Sequence, residues 1–155
     1  MIGVRIAGGL LAVAALSAAT TGCSAPEQPA HAQTLTAAEA TQQPSETLEP
    51  LLQQALPNVE GKTFTSAVVD FPPGARAKPH RHGTAFVYAY VLHGTVRSGL
   101  EGESVRTYHQ GQNWVEKPGA HHVLTENTSR TEPARLLVVF VSDTGAPLKT
   151  DDPQP

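Results

Sequence analysis

Between Lys62 and Val141 the chain alternates short apolar runs with tight turns, a spacing that admits little except antiparallel β-structure. Phe64 to Phe71 reads as a strand and stops at Pro72-Pro73-Gly74. Ala77 to His82 is kept extended ahead of Pro79. Ala85 to Leu92 is apolar on both faces, as suits a central strand between two layers. Gly94 turns it into Thr95 to Leu100, and Ser104 to His109 returns from a hairpin tip at Glu101-Gly102-Glu103. Asn113 to Glu116 is short and is followed by a Pro118-Gly119 turn. His121 to Glu126 and Ala134 to Val141 are the last strands. Ahead of these runs, Leu48, Leu51, Leu52 and Leu56 fall mostly on one side of a helix over Glu46 to Leu56. The expectation is an all-β antiparallel barrel or sandwich with a short N-terminal helix, and a barrel would remove exposed edges.

The N-terminal residues have a different character. Met1 and Arg5 precede an apolar run from Ile6 to Ala19, shorter than a membrane span, which ends at Gly22-Cys23. We read residues 1–22 as an export signal of lipoprotein type, with Cys23 as the lipid-bearing first mature residue. Cleavage near Cys23 or Ala25 without lipid, and an uncleaved anchor, are the alternatives. Residues 23–45 are rich in Ala, Gln, Pro, Thr and Glu and read as a flexible linker. Residues 46–142 form a single domain, and 143–155, with three prolines and paired aspartates, a loose tail. The expected location is the periplasm or cell surface. Cys23 is the only cysteine, so no intrachain disulfide forms and the core is stable by packing, aided at most by a metal or a partner. Without Arg5 the chain keeps 10 basic and 14 acidic side chains, a net −4, which argues against a nucleic-acid binder.

His80 and His82 are two residues apart, so in a strand both leave the same face. His122 joins them if the strands between fold back. Gly74, the His80-Arg81-His82 pair and Gly94 resemble the first motif of the cupin superfamily. Gly111, Gly119 and His122 resemble the second, with Lys117 in place of a proline and Asn127 one residue late. The resemblance covers residues 64–141 and implies a jelly-roll β-barrel, often a homodimer, with a divalent metal inside. The position at which the superfamily carries a glutamate ligand holds Val87, or Phe86 by the other count, so the usual set of three histidines and a carboxylate is incomplete. Three imidazoles with open positions still suit Zn, Fe, Ni, Cu or Mn. Without the carboxylate the site would be one unit more positive.

His121 is placed opposite His122, on the outer side. His93 and Glu126 are weaker candidates for the missing ligand. His109, Arg81, Arg97 and Arg106 read as solvated, Tyr88 and Tyr90 as packing residues, and Trp114 as lining the interior or a dimer contact. The expected function is a metal-binding cupin of the cell envelope, with dioxygenase- or isomerase-like action on a small organic molecule. A non-enzymatic ligand- or metal-binding lipoprotein and a metal-free structural barrel are the alternatives.

Overall fold

The computed structural model describes residues 43–153; the expected leader and all of the linker except residues 43–45 lie outside the described residues. Two antiparallel sheets face each other. The first has β1 (Thr47–Ala55), β2 (Lys62–Phe71), β5 (Phe86–His93), β8 (Asn113–Glu116) and β10 (Ala134–Asp143), in the order β1-β2-β10-β5-β8. The second has β4 (His80–Arg81), β6 (Thr95–Leu100), β7 (Arg106–His109), β9 (His121–Glu126) and β11 (Thr150–Asp151), in the order β11-β4-β9-β6-β7. β3 (Arg76–Ala77) also pairs with β9.

Two features of the expected fold are corrected. The sheets are not closed into a barrel: among the described residues no strand ladder joins one sheet to the other. Three of the four edge strands, β8, β7 and β11, are only four, four and two residues long, too short to extend a ladder around a closed wall. Nor is there an N-terminal helix among the described residues. Thr47–Ala55 is an exposed edge strand paired with β2 along its length, with a bulge between Pro50 and Leu52. Pro50 gives the reason, since inside a helix its ring would clash with the carbonyl of Glu46 and its missing N–H would break the ladder. On an edge strand the missing donor faces outward at little cost.

Strand periodicity sets the interior. In β2 the buried positions are Thr63, Thr65, Ala67, Val69 and Phe71; in β10 they are Ala134, Leu136, Val138, Phe140 and Ser142. β5 buries Val87, Ala89 and Val91, while Phe86 and Leu92 on its other face are exposed. The first sheet thus presents a mainly apolar wall, with Thr63, Thr65 and Ser142 at one end and Glu116 on β8. The second answers with a mixed one, Ala77, His80, Val96, Ser98, His122 and Thr125. The chain passes from one sheet to the other at Gly94, where φ is +75° and an added Cβ would lie 2.5 Å from the Pro133 carbonyl oxygen, so only glycine fits.

The sequence predicts a loose C-terminal tail, and the described part of it is built into the fold. β11 pairs with β4, the Pro79 carbonyl accepts from the Asp152 amide at 2.9 Å, and Lys149 is ion-paired with Glu46 and with Asp151. The last linker residues behave likewise, the Pro44 carbonyl accepting from the Arg76 amide at 3.0 Å.

Candidate metal centre

β4 and β9 are register partners, with His80 directly opposite His122. Directly opposed residues of an antiparallel pair share a face, so both rings enter the space between the sheets. His82 follows two residues after His80 and joins them. The ring centroids of His80 and His82 are 4.8 Å apart, and those of His80 and His122 are 5.0 Å apart. His80 and His122 are 5% and 3% exposed, and His82 rests its ring on Phe140 at 5.3 Å.

Each ring is anchored through one nitrogen. His80 Nδ1 donates to the Lys78 carbonyl at 2.6 Å, and His82 Nδ1 donates to the Leu148 carbonyl. A carbonyl only accepts, so both rings carry their proton on Nδ1 and keep a lone pair on Nε2. His122 reverses the arrangement. Its Nε2 lies 2.8 Å from both the Ser98 and Thr125 hydroxyls, and its Nδ1 has no hydrogen-bond partner. One ligand atom from each of the three rings lies within 4.8 Å of the others. Around a tetrahedral ion with bonds of about 2.1 Å, ligand atoms stand about 3.4 Å apart, so the rings would draw together by roughly 1 Å to hold it. The buried cluster can therefore hold a divalent metal, and the orphaned His122 nitrogen is what a donor awaiting an ion looks like. Anchoring the far nitrogen is the usual way a protein aims an imidazole at a metal.

Residues 67–140 match the family model for the cupin domain. These residues form a cupin domain. Solved structures agree on the fold. DMSP lyase DddQ from Ruegeria pomeroyi is 22% identical, with 66% of this chain and 50% of that one covered and a TM-score of 0.55. The TT1209 protein from Thermus thermophilus is 26% identical, over 62% of this chain and 82% of that one, at a TM-score of 0.51. The Cnp3 cupin domain from Schizosaccharomyces pombe is 18% identical, over 68% and 66%, at 0.53. This cupin spans half the length of DddQ. No curated protein matches it.

The sequence reading missed a buried acid in this cupin's site. Glu116, at the end of β8, is 3% exposed. Its Oε1 accepts from Trp114 Nε1 at 3.1 Å and lies 3.0 Å from His122 Nδ1; its Oε2 is 3.6 Å from His82 Nε2 and has no hydrogen-bond partner. Its neighbours in sequence, Val115 and Lys117, are exposed, and nothing in Asn113-Trp-Val-Glu marks the acid as special. The signal that existed was parity with the buried Trp114.

Other candidates lie elsewhere. His121 faces outward, its Nε2 2.7 Å from Asp152 and its Nδ1 3.4 Å from Glu101. His93 and His109 are exposed, the latter contacting the Thr95 hydroxyl at 3.1 Å. Glu126 is occupied by Arg97 at 2.8 Å, and Arg81 reaches the Gly119 carbonyl at 3.2 Å. Arg106 is exposed, and Tyr88 and Tyr90 alternate away from the buried face of β5. Trp114 lines the cavity and packs on Tyr108 at 4.7 Å. Asn127 ties the loop before β10, donating to the Glu132 carbonyl at 2.8 Å and accepting from the Ser129 amide at 3.0 Å.

The electrostatics favour neutral His80 and His82 rings. Burial pushes His80 down to about 4, helped by His122, His82 and Lys149 against the Lys78 carbonyl; burial also lowers His82, against Glu116. For Glu116, burial works to raise the carboxyl, but contact with His122, then His82 and Trp114, outweighs it and holds it below the ordinary value. A stability prediction follows for metal-free protein. Above about pH 6.5, the unfolded value, His80 is neutral in both states and its contribution is complete. As the pH falls toward about 4 the unfolded chain takes up a proton that native His80 refuses, and up to about 3 kcal/mol is lost. Thermal melts across this range should show a shallower decline for His80→Gln; parallel curves would refute the assignment.

Proposed function

We propose that this cupin binds one divalent transition metal through His80, His82 and His122 and presents it to a small organic molecule in the adjoining cavity. The observation that carries the reading is the set of three anchored rings whose remaining nitrogens share one buried space. The cavity, about 230 Å³, is lined by Val69, Phe71, Leu136, Val138 and Phe140 beside the histidines. That is below the roughly 300–1,000 Å³ of drug-sized sites, so the ligand is small and largely apolar, with a polar group for the metal. A bound ion would supply Lewis-acid or dioxygen chemistry there; the protein excludes water and orients the ligand. Purified chain offered Mn, Fe, Co, Ni, Cu or Zn should retain one equivalent and melt at higher temperature. At a free concentration of 100 Kd the gain is about 2.7 kcal/mol. Protein that stays metal-free with every ion and melts unchanged would refute the reading.

A binding or sensing role without turnover has one observation in its favour. Beyond the metal cluster and Glu116, the ionisable side chains lining the cavity are Glu46 and Lys149, and these neutralise each other. Apart from Glu116, whose Oε2 is unpartnered, no unengaged acid or base among the described residues lines the cavity for proton transfer. Turnover of small carboxylates, catechols and sugars by metal-loaded protein separates the two roles.

The same proposal places the domain outside the cytoplasm, tethered by lipid on Cys23, because the run from Ile6 to Ala19 ends at Gly22-Cys23. It also pairs two copies, which would cover the outer apolar side chains Phe86, Leu92 and Val115. Mass spectrometry of the mature N-terminus and sedimentation of the purified domain test these statements. An unmodified Cys23 refutes the first, and a monomer at micromolar concentration refutes the second.

A further inference from the structure

We propose that Glu116 is the fourth protein ligand of the metal, and that this cupin has moved its carboxylate from one strand to the next. The inference rests on the three-histidine reading and deepens it. Val87 occupies the position in β5 where the motif would carry a glutamate. In the β5–β8 ladder the residue directly opposite Val87 is Glu116. Opposed residues of an antiparallel pair point to the same face with Cβ atoms about 5 Å apart. A carboxylate on either strand therefore reaches the same space, and here the wall of that space is made by Val87 and the acid by Glu116.

The surroundings of Glu116 ask for a cation. The carboxylate is 3% exposed, and its Oε2 has no hydrogen-bond partner. Among the described residues no lysine or arginine is paired with it; its neighbours are His82 Nε2 at 3.6 Å and His122 Nδ1 at 3.0 Å. These two nitrogens are the same atoms left free by the anchoring of the rings. A buried carboxylate oxygen without a donor costs free energy, and a divalent ion between these atoms would satisfy Oε2 and draw on both ring nitrogens at once. Trp114 Nε1 holds the other oxygen and fixes the direction of the group. The expectation of a site one unit more positive is corrected accordingly: the negative charge is present on another strand.

The test compares the parent chain with Glu116→Gln and with the exchange Val87→Glu/Glu116→Val. Mn and Zn affinities are measured by competition with a chromophoric chelator, and metal-free melts are recorded for all three. Glu116→Gln should weaken Mn by at least about 100-fold and Zn by less, because a carboxylate suits Mn and imidazole suits Zn. Its metal-free form should still melt in one cooperative transition, which shows that any lost affinity is not lost folding. The exchange variant should recover Mn affinity to within about tenfold of the parent. A Glu116→Gln protein that binds Mn as tightly as the parent overturns the assignment, as does an exchange variant that melts like the parent yet binds Mn no better than Glu116→Gln. A parent chain that binds neither ion overturns instead the three-histidine reading on which this one rests.

Discussion

Replacing His122 by alanine is expected to abolish metal retention, lowering affinity by at least about 100-fold, more than the 10- to 100-fold typical of losing a residue that only orients a ligand. His122 is the hinge of the cluster. It lies opposite His80 in the β4–β9 pairing, its Nδ1 is the unpartnered donor, and the same atom approaches Glu116. The substitution also strips the Ser98 and Thr125 hydroxyls of the ring between them. Leaving buried hydroxyls unpaired costs about 1–3 kcal/mol, so metal-free His122→Ala should melt lower than the parent. The decisive comparison is the response to metal: the parent melt rises with added ion and the variant melt does not. His121→Ala is the control one residue away. Its ring faces Asp152 and Glu101, so it should bind metal like the parent. Loss in His121→Ala with retention in His122→Ala would mean that the two neighbouring histidines have exchanged roles, and equal losses would refute the assignment of His122 as the ligand.

The second large effect is expected at Phe140. Its ring is 1% exposed, forms part of the apolar wall of β10 and carries the His82 ring at 5.3 Å. Phe140→Ala should destabilise the domain by about 3–5 kcal/mol through lost burial and the void left behind. For a domain of this size that is a fall in melting temperature of roughly 10–20 °C. Because the void opens beside His82, metal affinity should fall too, although no ligand has been removed. Phe140→Leu fills more of the space and should lose clearly less of both. A loss under about 1 kcal/mol on Phe140→Ala, measured by denaturant titration, would show that the two sheets are not packed as described.

Local pattern was enough for part of this protein. The alternation of buried and outward residues in β2 and β10 is written in the order of their side chains, because consecutive residues of a strand face opposite ways. The same rule puts His80 and His82 on one face and sends His121 to the other side from His122. The leucine spacing over Glu46 to Leu56 suits a helix, but Pro50 in its middle does not, and the edge strand that forms accommodates both. What one dimension does not contain is register between strands distant in sequence. The pairing of β5 with β8 sets Glu116 against Val87, some thirty residues away, and no count along the chain reveals that substitution of one position by another. The C-terminal residues are a similar case. Their prolines and aspartates look loose until β4 gives them an edge to pair with and His82 gives the Leu148 carbonyl a donor. Side-chain order along a strand is a local steric fact; which strands meet, and at what offset, is settled by packing the two sheets over their entire faces.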